Sequence, residues 1–216
     1  MNCQAVIFDL DGVLCFTDHY HYLAWKALAD SLGIPFDERK NDRLRGVSRM
    51  ASLEIILEDY HGPALTEQAK LALADKKNAL YRQYLKIMTH ADLPAEVPPT
   101  LQTLRAQGLR LAIGSSSKNT PLILQRVGLD GFFDAVSDGN NITRSKPDPE
   151  VFLKAAAMLG LPPAACLVVE DAEAGIDAAR AGGFFSAGIG PAAHCGKADC
   201  ALARFADLIP LCKSIR

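Results

Sequence analysis

Two aspartates near the N-terminus have a spacing that suits catalysis. Asp9 and Asp11 follow the apolar segment at residues 5–8, with one leucine between them and Gly12 directly after them. Residues two apart in an extended chain point to the same side, so both carboxylates would lie together at the end of a buried strand. Two like charges this close need a cation or a shared proton between them. The pair therefore predicts a metal-binding or proton-transfer site, although acidic residues also cap helices and turns.

Three further polar clusters come directly after apolar segments. Lys146 is followed by prolines at positions 147 and 149, which stiffen the loop that holds it. The pair Glu170-Asp171 ends an apolar run. Taken alone, a loop lysine is usually a solvated charge, and the acidic pair could cap the next helix. The remaining cluster suits either a phosphate or a helix cap, and it consists of Ser115, Ser116, Ser117, Lys118 and Asn119.

Taken together, the four clusters predict a site for phosphoryl transfer. Asp9 and the carboxylates at 170–171 supply hard oxygen ligands with no imidazole or thiolate near them, and this set favours Mg²⁺ over zinc. Ser115 and Lys146 would hold the phosphoryl oxygens. Asp9 could then attack phosphorus and form an aspartyl-phosphate. Asp11, one pleat further along, would protonate the leaving oxygen and deprotonate the next nucleophile.

The order of the elements explains how these clusters could meet. After about residue 93, strand-like apolar segments alternate with helical segments that end at glycines. This alternation predicts an α/β fold with a parallel sheet covered on both faces. Ligands bind such sheets outside the carboxyl ends of the strands, where every cluster described above lies. The segment at residues 184–189 is predicted to be the last strand.

Between about residues 16 and 88 the sequence contains no convincing strand. Helical patterns at residues 22–29 and 52–58 are closed by segments that contain Gly and Pro, and Thr66 begins a longer helix. We therefore expect a small helical bundle inserted after the first strand. The buried face of its long helix is predicted from apolar residues at helical spacing, namely Ala69, Leu73, Leu80 and Tyr84.

Composition limits the classes of function. The 216 residues are 49% hydrophobic and 22% charged, as expected for a soluble globular protein. The net charge of −2 argues against a nucleic-acid or membrane-surface partner that is bound through bulk charge. No apolar stretch reaches the ~18 residues of a membrane span. The N-terminus lacks a signal-peptide pattern, so we expect a cytoplasmic protein. Six scattered cysteines suit a reduced compartment, and His194, Cys195 and Cys200 lack the CxxC spacing typical of a zinc site.

In these motifs the chain resembles the haloacid dehalogenase-like superfamily. The Asp-x-Asp-Gly motif, the strand ending in serine, the Lys-Pro loop and the Glu-Asp pair occur in the superfamily's order and cover essentially the whole chain. The resemblance implies a Rossmann-like catalytic core at residues 1–15 and 89–216. It also implies that residues 16–88 form a mobile helical cap domain.

The same resemblance implies roles for the strand-end residues. Asp9 would be the nucleophile and Asp11 the general acid and base, while Ser115 and Lys146 would bind the phosphoryl group. The implied ligands of Mg²⁺ are Asp9, the backbone carbonyl of Asp11, Glu170 and Asp171.

Motifs in the predicted cap resemble the β-phosphoglucomutase family in particular. In that family the arginine matching Arg49 grips the phosphate that is not reacting, although a surface salt bridge is the structural alternative for this residue. The matches of His21 and Lys77 imply that they hold Asp11 ready and help the cap to close, and Thr17 matches the hinge. The implied substrate-binding residues of the cap are Thr17, His21, Trp25, Gly46, Val47, Ser48, Arg49, Ser52 and Lys77.

The resemblance implies an Mg²⁺-dependent phosphomutase of the isomerase class that acts in carbohydrate metabolism. It would interconvert β-D-glucose 1-phosphate and glucose 6-phosphate, with β-glucose 1,6-bisphosphate as intermediate and activator. We expect small-molecule sugar phosphates as its partners and a monomeric chain. The alternative is an Mg²⁺-dependent sugar-phosphate phosphatase of the same superfamily, because the two activities share their chemistry and differ in the acceptor.

Overall fold

The computed structural model describes residues 2–44 and 48–215. The chain divides into two compact units. The core unit comprises Met1–Phe16 and Met88–Arg216, and the helical unit comprises Thr17–Ile87. The chain therefore enters the core unit, leaves it after a single strand, and returns to complete it. No helix within the described residues is long and apolar enough to cross a membrane.

A parallel sheet forms the centre of the core unit. Its strands pair in the order β3-β2-β1-β4-β5-β6, and every neighbouring pair is parallel. This is the strand order of a doubly wound Rossmann sheet, so the predicted α/β fold is confirmed. The strands are β1 (Ala5–Phe8), β2 (Arg110–Gly114), β3 (Ala135–Ser137), β4 (Cys166–Glu170), β5 (Phe185–Ile189) and β6 (Cys200–Leu202).

Helices surround this sheet and also build the helical unit. Helices α1 to α4 belong to the helical unit and α5 to α9 to the core unit. They are α1 (Asp18–Ser31), α2 (Glu38–Asp42), α3 (Arg49–Leu57), α4 (Glu67–Leu85), α5 (Val97–Ala106), α6 (Thr120–Arg126), α7 (Glu150–Met158), α8 (Glu173–Ala181) and α9 (Leu208–Ser214).

The central strands are apolar along their whole length because helices cover both faces of the sheet. All four residues of β1 and all five of β4 are buried. On one face, Phe152 of α7 and Phe184 pack against Ile7 and Val168. The prediction that residues 184–189 form the last strand was wrong, because β6 follows as an edge strand. Its three residues are too few to produce an alternating pattern.

The buried face of α4 also differs from the prediction. Its buried residues are Ala74, Lys77, Tyr81 and Leu85. The residues predicted for this face, at positions 69, 73, 80 and 84, are only partly buried. Lys77 lies in the middle of the buried face. A prediction from hydrophobicity alone avoids this lysine and therefore places the buried face one position away. The rest of the helical core includes Trp25, Leu28, Leu53 and Ile56.

Candidate active site

The carboxyl ends of the central strands bring the predicted catalytic groups to one edge of the sheet. Asp9 directly follows β1, and its backbone N–H donates a hydrogen bond of 2.9 Å to the carbonyl of Val169 in β4. Glu170 is the last residue of β4. Ser115 directly follows β2, and its N–H donates to the carbonyl of Ser137 at 3.1 Å. The parallel pairing of β1 with both neighbours therefore collects these side chains at one edge.

Lys146 joins two of these carboxylates. Its ammonium donates to Oδ1 of Asp9 and, at 2.5 Å, to Oε1 of Glu170. The three side chains are 11%, 10% and 2% exposed, respectively. The ammonium also lies 4.7 Å from the ring centroid of Phe152. Lys146 is thus a buried, paired cation, and the alternative of a solvated loop charge does not describe it.

The electrostatic state of this cluster follows from burial and from the neighbouring charges. Burial raises the pKa of Asp9 well above its ordinary value, and the negative charges of Glu170, Asp11 and Asp171 act in the same direction. The Lys146 ammonium opposes them and lowers this pKa. Burial would lower the pKa of Lys146, but the Asp9 and Glu170 carboxylates outweigh burial and raise it. The cluster therefore contains more acidic than basic side chains.

Two glycines make room for the acidic pair that follows β4. Gly12 has a φ of +85°, and a Cβ on it would lie 2.1 Å from Oδ2 of Asp171. A Cβ on Gly175 would lie 1.9 Å from Oε1 of Glu170. Glu170 also accepts a hydrogen bond of 2.8 Å from the N–H of Ala172, just before α8. Both carboxylates therefore lie close to glycine backbone, and Glu170 accepts hydrogen bonds from both Ala172 and Lys146.

The loop after β2, called the phosphate loop (residues 115–119), is folded on its own hydroxyls. Oγ of Ser115 accepts from the N–H of Ser117 at 3.2 Å, and Oγ of Ser117 accepts from the N–H of Asn119 at 3.2 Å. The Oγ of Ser116 is buried and has no hydrogen-bond partner within the described chain. The hydroxyls of Ser115 and Ser117 thus form turns within the loop, ahead of α6. They also fix the backbone N–H groups at the sheet edge.

The last two residues of the phosphate loop differ in exposure. Asn119 is buried and precedes α6, but its side chain makes no capping hydrogen bond to that helix. Lys118 is exposed. An exposed lysine at this edge has an ammonium group that could bind an anion.

A second group of predicted residues meets inside the helical unit. The Lys77 ammonium lies 2.7 Å from Nδ1 of His21 and 4.5 Å from the ring centroid of Trp25. The His21 ring stacks on Tyr81 with their centroids 3.9 Å apart. The hydroxyl of Tyr81 donates to Oγ1 of Thr17 at 3.0 Å. Trp25 is 3% exposed and belongs to the apolar core, so it supports Lys77 from within the unit.

These neighbours determine the protonation of His21. Burial lowers its pKa well below the ordinary value, and the positive charges of Lys77 and Arg49 lower it further. The ring is therefore neutral at pH 7. An ammonium group can only donate hydrogen bonds, so Nδ1 accepts from Lys77 and the ring proton is assigned to Nε2. His21 thus carries one hydrogen-bond donor of defined position.

Arg49 has a neutral partner in the described part of the helical unit. Its Nη2 donates to Oδ1 of Asn78 at 3.1 Å. This contact orients the guanidinium without a carboxylate, in contrast to the salt bridge considered as the alternative. Ser48 caps α3, because its Oγ accepts from the N–H of Ala51 at 3.3 Å. Ser52, on the same helix, is buried.

Two contributors are missing from the predicted site residues, although the family resemblance in the sequence extends over Lys77 and Asn78 together. Asn78 and Tyr81 contact predicted site residues directly, and both lie within one helical turn of Lys77 on α4. Spacing of three or four residues from a candidate ligand-binding lysine is the signal that could have found Tyr81. The predicted site residues Gly46 and Val47 lie outside the described residues.

The donor set at the sheet edge fits a hard divalent cation in its chemistry. Carboxylates of Asp9, Glu170 and Asp171 are the oxygen ligands that such a cation prefers. Burial and then the neighbouring carboxylates raise the pKa of Asp9, and a cation bound there would oppose both effects. Across residues 2–44 and 48–215, no three acidic, histidine or cysteine side chains are arranged so that they could hold an ion. Two of the carboxylates instead contact Lys146.

Comparisons with known proteins show which family and which relatives the chain resembles. The model of the haloacid dehalogenase-like hydrolase family matches residues 3–183. The chain is 41% identical over 208 residues to a β-phosphoglucomutase of Bacillus subtilis, covering 95% of this chain and 91% of the relative. It is 30% identical over 183 residues to a phosphorylated carbohydrates phosphatase of Thermotoga maritima, covering 84% and 82%. The crystal structure of a β-phosphoglucomutase from Clostridium difficile superimposes with a TM-score of 0.86 at 35% identity, covering 95% and 93% of the two chains.

Proposed function

Since this chain belongs to the haloacid dehalogenase-like hydrolase family, we propose that it interconverts β-D-glucose 1-phosphate and glucose 6-phosphate, the reaction of a β-phosphoglucomutase. The observation that carries the chemistry is the buried contact of Lys146 with Asp9 and Glu170 at the strand ends. The choice of a mutase is supported by the likeness to the Bacillus subtilis enzyme along 95% of the chain. The proposed intermediate and activator is β-glucose 1,6-bisphosphate.

In the proposed reaction, Asp9 carries the phosphoryl group. One carboxylate oxygen attacks phosphorus, the bond from phosphorus to the sugar oxygen breaks, and an aspartyl-phosphate forms. Lys146 already donates a hydrogen bond to Asp9 and would neutralise negative charge on the transferred phosphoryl group. Ser115 would hold a phosphoryl oxygen through its hydroxyl, since its backbone N–H already donates to the carbonyl of Ser137.

Asp11 is the proposed proton carrier. It lies two residues beyond Asp9, in the turn that Gly12 closes through its N–H bond of 2.7 Å to the Cys15 carbonyl. Asp11 would donate a proton to the leaving sugar oxygen and later take one from the attacking hydroxyl. This division of labour requires Asp9 to be ionised and Asp11 to be protonated at the start of phosphoryl transfer to the enzyme.

Mg²⁺ is the proposed metal, held by Asp9, Glu170, Asp171 and the backbone carbonyl of Asp11. Bound there, the cation would supply positive charge for the phosphoryl oxygens and lower the pKa of Asp9, so that the nucleophile stays ionised. Lys146 would keep its place beside the transferred group and Asp9. The glycine contacts of Asp171 and Glu170 would hold the ligands in place during turnover.

The helical unit is proposed to recognise the second phosphate. A planar guanidinium suits a phosphate dianion, and the contact with Asn78 holds that of Arg49 in one orientation. His21, neutral and fixed by Lys77, would donate a hydrogen bond through Nε2. These groups would select substrates with phosphates at both ends and so favour transfer to sugar over transfer to water.

A sugar-phosphate phosphatase is the second candidate function. The observation that favours it is the likeness to the Thermotoga maritima phosphatase over 84% of the chain. The two functions differ in the group that accepts the phosphoryl from Asp9. In the mutase it is a sugar hydroxyl, and in the phosphatase it is water.

Product analysis distinguishes the two functions. Purified protein is incubated with Mg²⁺, β-glucose 1-phosphate and a catalytic amount of β-glucose 1,6-bisphosphate, and glucose 6-phosphate and inorganic phosphate are both measured. We expect glucose 6-phosphate to form and α-glucose 1-phosphate to give little product. Release of inorganic phosphate without glucose 6-phosphate would refute the mutase and support the phosphatase.

The role of Asp9 has its own experiment. Asp9→Asn should abolish turnover and the mass increase of one phosphoryl group after incubation with bisphosphate. Asp130→Asn, at an exposed position of the core unit, is the matched control and should keep both. Full turnover of the Asp9→Asn variant would show that another group is the nucleophile.

A further inference from the structure

The loop that follows β3 lies directly against the phosphate loop. We call it the β3 loop (residues 138–141). The N–H of Gly139 donates to the carbonyl of Ser117 at 3.2 Å. The side-chain amide of Asn140 donates to the carbonyl of Lys118 at 3.0 Å. These bonds extend the contact between the two segments beyond the β2–β3 pairing, so the phosphate loop is held against the β3 loop at Ser117 and Lys118.

Gly139 allows an unusually close approach of the two loops. A Cβ on this residue would lie 2.5 Å from the carbonyl oxygen of Ser116 and 2.8 Å from the backbone nitrogen of Lys118. It would also lie 2.9 Å from Cγ of Lys118. Two of these atoms are backbone and cannot swing away. Glycine is therefore required for packing here, and its missing side chain leaves room for the base of the Lys118 side chain.

The Asn140 side chain is held in one orientation. Oδ1 of the buried Asp138 accepts from the backbone N–H of Asn140 at 2.8 Å, and Oδ2 accepts from its amide nitrogen at 3.2 Å. Asn141 in turn accepts from the N–H of Asp138 and from the hydroxyl of Ser137, both at 3.2 Å. The donor aimed at Lys118 is thus part of a rigid turn, although Asn140 itself is exposed.

We propose that Asn140 is a positioning residue that fixes Lys118 and thereby sets the affinity of the enzyme for its sugar phosphate. A lysine loses rotamer freedom when it binds an anion, and prior fixing of its backbone and of the base of its stem reduces that cost. The inference rests on the proposed function only in assigning the phosphate loop to substrate binding. It holds for a mutase and for a phosphatase alike.

The first experiment compares Asn140→Ala with Asn141→Ala. Because Asn140 is exposed, its truncation should leave the fold intact, whereas Asn141 stabilises the end of β3 without a hydrogen bond to the phosphate loop. We expect Asn140→Ala to raise KM for β-glucose 1-phosphate about tenfold with kcat nearly unchanged, which is the pattern of lost ground-state binding. Asn141→Ala should lower the melting temperature more and KM less.

The second experiment tests whether Asn140 acts through Lys118. In a double-mutant cycle, Asn140→Ala should have little further effect on KM once Lys118 is alanine, because coupled residues are not additive. Additive effects, or an unchanged KM in the single Asn140 variant, would overturn the proposal. So would an equal rise of KM for both asparagine variants.

The proposed function can fail without affecting this test. If the wild-type protein releases inorganic phosphate and forms no glucose 6-phosphate, KM is measured for hydrolysis with the same four variants and the same expectation. Failure of the mutase is then seen in the product. Failure of the Asn140 proposal is seen in the double-mutant cycle.

Discussion

Replacement of Lys146 by methionine should strongly destabilise the protein when no divalent cation is present. Methionine keeps the length of the side chain but leaves the carboxylates of Asp9 and Glu170 buried without their cation. All three side chains are at most 11% exposed, so water cannot solvate the two carboxylates that remain. Removal of one partner from a buried ion pair costs about 3–5 kcal/mol. For a chain of this size that corresponds to a melting temperature lower by roughly 6–20 °C.

The assay is urea or thermal unfolding at pH 7 in the presence of a chelator. Lys26→Met is the matched control, because Lys26 pairs with Asp30 at 3.0 Å on the surface, where both side chains are more than 40% exposed. Such exposed pairs contribute about 0–1 kcal/mol. An unfolding free energy for the Lys146 variant within about 1 kcal/mol of that control would refute the argument that the cluster is buried and charged.

Two conditions should restore part of the stability lost with Lys146. Mg²⁺ supplies a positive charge to the same carboxylates, so it should raise the melting temperature of the variant more than that of the wild type. Acidification from pH 7 towards pH 5 should also reduce the deficit. Burial raises the pKa of Asp9 in the folded protein, so stability increases as the pH falls through that folded pKa. The Lys146 ammonium lowers this pKa in the wild type, so its loss raises the pKa further and the variant gains more stability on acidification. A deficit that grows on acidification would contradict this sign.

Three smaller perturbations test other contacts. Gly12→Ala adds a Cβ that would lie 2.1 Å from Asp171, at a position whose φ is +85°. We expect at least about 1 kcal/mol of destabilisation in unfolding experiments, and a weaker dependence of turnover on Mg²⁺ in a metal titration. Tyr81→Phe removes the bond of 3.0 Å to Thr17 and should cost about 1 kcal/mol, and an unchanged unfolding free energy would contradict that. The His21 ring should titrate well below its ordinary pKa of 6.5 in an NMR experiment. The contribution of His21 to stability should decrease as the pH falls below 6.5, because protonation is easier in the unfolded chain.

The sheet and its edge could be predicted because their determinants are local in the sequence. The uninterrupted apolar sequences of β1 and β4 indicate strands that are buried on both faces of the sheet. The polar clusters come directly after such strands in the sequence. The strand ends predicted that Lys146 and Asp9 share a site, but their direct ion pair could not be predicted in this way. The contact joins residues 137 positions apart, and only the fold brings them together. The predicted superfamily membership is confirmed by the family match.

The helical unit was harder to predict because its polar residues are buried. Lys77 occupies the inner face of α4 together with Tyr81, so a rule that assigns apolar residues to the core moved the face by one position. The same buried lysine carries the contacts with His21 and Trp25. Departure from the hydrophobic pattern therefore marked a candidate functional group. The β3 loop gave no such signal, since Gly, Asn and Asp also occur in ordinary turns.

The central position of β1 has a consequence for the order in which the protein folds. Ala5 pairs with Arg110 on one side and with Cys166 on the other, so the strand that is synthesised first must wait for partners far along the chain. Contacts so distant in sequence form slowly. The helical unit, in contrast, is one continuous segment whose contacts are complete once Ile87 has been made. We therefore expect the helical unit to gain structure first on the ribosome, while the apolar β1 segment stays exposed and vulnerable to aggregation until β4 emerges.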